Sequence, residues 1–121
     1  MTLVIDFDGT ICEHRFPEVG APKEGVRDAL VAFKNAGCEI VIHSCRTASY
    51  WERQNQAEQR MAIIEFMGEH DLPYDRICAD DKPLATFYID DRALTFSDNW
   101  QQIQDTVLRK PELLPTEPTD D

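Results

Sequence analysis

Residues 2–10 read Thr2-Leu3-Val4-Ile5-Asp6-Phe7-Asp8-Gly9-Thr10. Leu3, Val4 and Ile5 make an unbroken apolar run that ends in a carboxylate, the pattern of a strand buried on both faces of a parallel sheet. A second such run, Glu39-Ile40-Val41-Ile42-His43, leads into Ser44. Shorter runs at Ile77-Cys78-Ala79 and Thr86-Phe87-Tyr88-Ile89 are two further strand candidates. Helical patterns lie between them. From Lys23, the apolar residues Val26, Ala29, Leu30 and Phe33 fall at helical spacing, and Gly37 supplies a stop. Ser49 with Glu52 three residues on has the form of a capping box, predicting a long helix toward Gly68 with Ala57, Met61 and Ile64 inward. Ser97 is placed to cap a last helix with Trp100, Ile103 and Val107 inward. This alternation predicts an α/β fold, a Rossmann-like three-layer sandwich around a small, mostly parallel sheet of about four strands.

One junction strains that pattern. Only Asp80 to Ala85 separates the last two strand candidates, whereas a parallel crossover takes about a dozen residues. Either Ile77–Ala79 is not a regular parallel strand, or the connecting helix is reduced to a turn.

The chain has 121 residues, with 23 acidic against 12 basic side chains and a net charge of −11. That length suits one domain, expected over residues 1–110. Residues 11–22, with two prolines and a glycine, form a flap loop. Residues 111–121 carry three prolines, four carboxylates and no basic group, an acidic tail expected to be disordered. The acidic balance repels phosphodiester backbones and argues against nucleic acid as a partner. No apolar run nears the ~20 residues of a membrane span, and the chain opens on a strand-like run rather than a signal peptide, so a cytoplasmic location is expected. The four cysteines form no CxxC pair and are expected to be reduced, with Cys38 and Cys78 as small core hydrophobes. Arg46 follows Cys45 directly, so the phosphate-cradling loop of a cysteine phosphatase is missing.

Open parallel sheets bind ligands at the carboxyl ends of their strands. Asp6 and Asp8, Ser44 and Arg46, and Asp90 and Asp91 fall at those ends. Gly9 permits the close backbone path by which two carboxylates, two residues apart, reach one pocket. Gathered carboxylates are costly unless a cation holds them, and hard oxygen ligands favour Mg²⁺. With the Ser44 hydroxyl and the positive charge of Lys82 and Arg46, the set is suited to holding a phosphoryl group beside a metal.

The Asp6-Phe7-Asp8-Gly9-Thr10 run resembles the first motif of the haloacid dehalogenase (HAD) superfamily of phosphohydrolases, in its DxDGT form. Ser44 after its apolar strand resembles the second motif, Lys82-Pro83 the third, and Tyr88-Ile89-Asp90-Asp91 the fourth. All four occur in order between residues 6 and 91. The resemblance implies a Mg²⁺-dependent phosphatase. In that scheme Asp6 is the nucleophile that becomes an aspartyl-phosphate. Asp8 protonates the leaving alcohol and then deprotonates the hydrolytic water. Ser44 and Lys82 bind the phosphoryl group, and Mg²⁺ is held by Asp6, Asp90 and the Asp8 main-chain carbonyl, with Asp91 binding it directly or through water. Gly9, Thr10, Arg15 and Arg46 are the substrate-binding candidates, with Phe16 also facing the leaving group. Tyr50 or Trp51 is a candidate to stack on it. Neither the gap after the first motif nor that between Arg46 and Lys82 can house a cap domain, so the minimal, capless type is implied. Its substrate would be a small-molecule phosphate monoester (a sugar phosphate, nucleotide or similar), and a second copy could cover the open site. Two rival readings stand beside this one. A phospho-acceptor receiver domain uses similar groups, but its lysine comes last, whereas Lys82 precedes the final acidic pair. A catalytically silent binding protein would keep the motifs without turnover.

Overall fold

The computed structural model describes residues 1–49, 51–78 and 81–109. The expected tail, and the roles suggested for Tyr50 and Ala79, lie outside those residues. The chain groups into two compact units, Met1–Asp91 and one that begins at Arg92. The unit carrying the sheet therefore closes at Asp91, short of the residue 110 expected from the sequence.

The protein has a small Rossmann-like α/β fold. Strands β1 (Thr2–Asp6), β2 (Glu39–His43), β3 (Arg76–Cys78) and β4 (Phe87–Ile89) form one all-parallel sheet in the order β3-β2-β1-β4. Leu3, Val4 and Ile5 are buried, and so are Ile40, Val41 and Ile42, which is why both strands lack alternation. Helix α1 (Val26–Asn35) connects β1 to β2, and α2 (Arg53–Glu69) connects β2 to β3. On one sheet face, Leu3, Ile5, Ile40, Ile42 and Ile77 pack with Leu30 of α1 and with Ile63, Phe66 and Met67 of α2. Each fully buried side chain of this kind contributes roughly 1.5–3 kcal/mol. Gly37, at φ 86°, ends α1 as expected, its N–H bonding the Lys34 carbonyl at 3.0 Å.

Of the two alternatives for the short β3–β4 connection, the second holds, since among the described residues no helix joins these strands, and the topology supplies the reason. β3 is a regular parallel strand paired with β2, but β4 pairs with β1 at the opposite edge of the sheet. Crossing three strand spacings takes about 14 Å, within reach of the eight residues from 79 to 86 at ~3.3 Å each. Ala85 packs against Val4, Val41 and Cys78 on the face opposite α1 and α2. No helix is required.

Two details of α2 depart from the sequence reading. The helix starts at Arg53, with Glu52 as N-cap and no side-chain cap bond, so Ser49 and Glu52 form no capping box. Instead a one-turn 3₁₀ segment, Cys45–Thr47, follows Ser44, and Gln56 Nε2 donates to the Trp51 and Ser49 carbonyls at 2.7 and 3.3 Å. The inner face is also rotated: Ile63, Phe66 and Met67 are buried, whereas Met61 and Ile64 are exposed. Apolar residues on both sides of α2 blurred the phase, and the Phe7 ring, edge-on to Phe66 at 5.4 Å, marks the side that is buried.

In the second unit, α3 (Trp100–Arg109) begins after Asn99, whose Oδ1 accepts from the Ser97 N–H at 2.7 Å. Asn99, rather than Ser97, stands at the helix start. The Trp100 ring rests 5.2 Å from that of Phe96. No disulfide joins the four cysteines, and Cys12 joins Cys38 and Cys78 in the core. Among the described residues no helix is long and apolar enough to cross a membrane. Among the described residues, the first candidate cap position holds turns and isolated bridges, and the second holds the 3₁₀ segment, α2 and β3.

Candidate functional site

The parallel register brings the strand ends to one level. Asp6 pairs with His43, and Ile5 with Ile89, so Asp90 and Asp91 emerge beside Asp6. The chain runs from β1 outward through β2 to β3 and then returns to the other side of β1. The gap between β1 and β4 is thus the switch point of the sheet, where ligands of such folds bind.

After Asp6 the backbone turns tightly. The Thr10 and Ile11 N–H groups both bond the Phe7 carbonyl, at 3.2 and 2.9 Å, and the Gly9 N–H bonds the Cys12 carbonyl at 2.8 Å. Phe7 is 0% exposed, so the residue between the two aspartates anchors the turn in the core. Gly9 has φ 87° and lies against Asp91: an added Cβ would meet its Oδ2 and sit 2.8 Å from its Cγ. Gly9→Ala therefore combines left-handed strain with displacement of that carboxylate. Its expected cost is about 1–3 kcal/mol of stability, read from urea unfolding; an unchanged midpoint would show that Asp91 moves aside freely.

Asp6, Asp90 and Asp91 each present a carboxylate oxygen, all within 4.8 Å of one another. The cluster raises the Asp6 pKa from 3.8 to about 7, chiefly through burial, then through the Asp90 charge and the hydrogen bond and charge of Asp91, against a lowering bond from the Phe7 backbone. Three carboxylate oxygens gathered at this separation are a donor set that fits a hard divalent cation such as Mg²⁺. Thr10 Oγ1 ties the cluster together: it lies 3.3 Å from both Asp6 Oδ2 and Asp91 Oδ1, and accepts from the Asp91 N–H at 3.1 Å. Thr10 and Gly9 were expected at the substrate. Their contacts here are with carboxylates, which they pack and orient.

Lys82 shares a small cleft with Asp6, His43, Tyr88 and Asp90, so the structure brings it to the cluster. Its Nζ sits 4.8 Å from the centre of the Tyr88 ring. The Tyr88 hydroxyl donates to the Pro83 carbonyl at 2.8 Å and accepts from the Ala85 N–H at 3.2 Å. Tyr88 therefore holds the segment that follows Lys82, a role the sequence reading did not assign. Ser44 is buried at the end of β2, its Oγ accepting from the Arg46 N–H at 3.1 Å. It acts as a turn cap, and a hydroxyl that accepts one bond still has its own O–H to donate.

Arg46 differs most from expectation, and it does so through Asp8. The Asp8 carboxylate is not among the three clustered oxygens. Both of its oxygens accept from Arg46, Oδ2 from Nε at 2.7 Å and Oδ1 from an Nη at 2.8 Å. Arg46, expected at the leaving group, is 2% exposed and has its donors turned inward. Phe16 likewise lies on the guanidinium, 4.7 Å from it, rather than open to a ligand. Arg15 is exposed on the flap, and the structure does not bring it to the carboxylates through any described contact. Cys12, beneath the turn, has its thiol pushed up to about 11, mainly by burial, which disfavours the thiolate.

No family model and no curated protein matches this chain. Among solved structures, a conserved protein coded by a locus of Bacteroides thetaiotaomicron is similar, with a TM-score of 0.59 and 25% identity over 91% of each chain.

Proposed function

We propose that this chain is a Mg²⁺-dependent phosphatase of the HAD type, cleaving a small-molecule phosphate monoester through an aspartyl-phosphate on Asp6. The observation that carries this reading is the meeting of Asp6, Asp90 and Asp91 at the switch point, with Lys82 lining the same cleft. An Asp6 oxygen attacks phosphorus, the bond from phosphorus to the ester oxygen breaks, and Asp8, once it has taken up a proton from water, passes it to the departing oxygen. Asp8 then takes a proton from the water that releases phosphate and regenerates Asp6. Mg²⁺ bound by the three aspartates would supply the positive charge that offsets their repulsion and that of the phosphate. Lys82 adds a second positive charge, and Ser44 a hydroxyl donor, on the phosphoryl oxygens. The open, capless site suits a cytoplasmic enzyme for sugar phosphates, nucleotides or similar esters.

The test is turnover of p-nitrophenyl phosphate by the purified protein. Multiple turnovers are expected with Mg²⁺, abolished by EDTA and restored by excess Mg²⁺. A single phosphorylation without repeated release would indicate a receiver domain, and no phosphoryl chemistry at all a binding protein.

A further inference from the structure

From the buried guanidinium we infer that Arg46 is a positioning residue for proton transfer, holding Asp8 and the flap in one rigid unit without touching substrate. The inference rests on the phosphatase reading. A guanidinium has five N–H donors, and all five are used inside the protein. Two go to Asp8 as a planar fork. Two meet flap carbonyls, Pro17 at 3.1 Å and Glu18 at 2.7 Å. The last goes to Gln59 Oε1 of α2 at 2.7 Å. The Phe7 and Phe16 rings lie 5.8 and 4.7 Å from the guanidinium carbon, leaving it no route to a ligand. Its backbone N–H meanwhile holds Ser44 Oγ. One residue thus sets the plane of the acid–base carboxylate, the height of the flap above it and the hydroxyl of β2. The fork uses one lone pair on each Asp8 oxygen and leaves another on each to meet a proton or water. Lysine, with a single point charge and no fork, cannot reproduce the arrangement.

A double-mutant cycle on p-nitrophenyl phosphate tests this, since that ester leaves readily enough for Asp8→Asn to keep measurable turnover. Arg46→Lys should lower kcat by about 10²-fold, the scale of a mispositioned acid–base group, with KM within about threefold. In the Asp8→Asn background the same change should lower kcat by no more than about twofold, because residues acting as a unit are not additive. Equal losses in both backgrounds, no loss in either, or a raised KM at unchanged kcat would overturn the inference. Thermal melting reports whether Arg46→Lys folds. If it does not, Gln59→Ala, which removes only the bond at the edge of the guanidinium, replaces it, with a loss of about threefold expected that vanishes beside Asp8→Asn. Wild-type turnover with an additive cycle removes this inference alone. A wild-type protein inert toward every phosphate ester removes the phosphatase reading, and this inference with it.

Discussion

Asp6→Asn should leave a folded protein that turns over p-nitrophenyl phosphate at least ~10³-fold more slowly than wild type. An amide has no anionic oxygen to attack phosphorus, and Asn keeps the shape that fits beside Thr10. Folding should survive because the substitution removes a charge from a crowded place. Asp6 is held up to about pH 7 by burial and by Asp90 and Asp91, so its ionised form is the disfavoured one in the absence of a cation. Circular dichroism and a melting curve would establish the fold, and steady-state kinetics the loss. Residual turnover within tenfold of wild type would remove Asp6 as nucleophile.

The same carboxyl gives the second large effect, a dependence of stability on pH that reverses with metal. The Asp6 pKa in the folded state, about 7, lies above its ordinary value of 3.8. The folded protein therefore binds this proton more tightly than the unfolded chain does, and stability falls as pH rises between those two values. For a largely buried group the loss is on the order of 2–4 kcal/mol, complete a little above pH 7. Urea unfolding in EDTA should thus give a lower midpoint at pH 8 than at pH 5, and Asp6→Asn should flatten most of that difference. Saturating Mg²⁺ should raise the midpoint at pH 8 far more than at pH 5, where protons compete for the same oxygens. Asp75 works in the opposite sense: the Ile40 N–H, then Lys34, lower its pKa, so its contribution is lost only as acid is added below the carboxylate range. The two windows do not overlap. A midpoint in EDTA that stays level or rises from pH 5 to 8 would contradict the crowding of Asp6 by Asp90 and Asp91.

Much of this was visible in local sequence because it depended on local causes. Both strands without alternation, residues 2–6 and 39–43, were readable from their unbroken apolar runs, and Gly37 from the stop it supplies to α1. The carboxylates at 6, 90 and 91 were readable because strands in a parallel sheet end on one side. The order β3-β2-β1-β4 was not, since nothing within residues 77–89 states which edge the chain moves to. The inner face of α2 escaped because the tertiary partner Phe7 lies far away in sequence and decides which apolar stripe turns in. Arg46 is the instructive failure. Next to a site of carboxylates, a cation is naturally read as a ligand contact. Its five bonds go to residues 8, 17, 18 and 59, and only the folded chain brings those together. The bridge from Thr10 to Asp91 was hidden for the same reason, because partners 81 residues apart have no signature in spacing.

Phe7 has a practical consequence for anyone who wishes to engineer this molecule. Its ring is edge-on to Phe66 and 5.8 Å from the Arg46 guanidinium, while its two neighbours in the chain are Asp6 and Asp8. Thermostabilising libraries that vary interior aromatics would, at this position, also rotate the mouth of the cleft. Hardening the protein and retuning its chemistry are the same experiment at residue 7, and variants selected there for heat resistance alone should emerge with altered turnover.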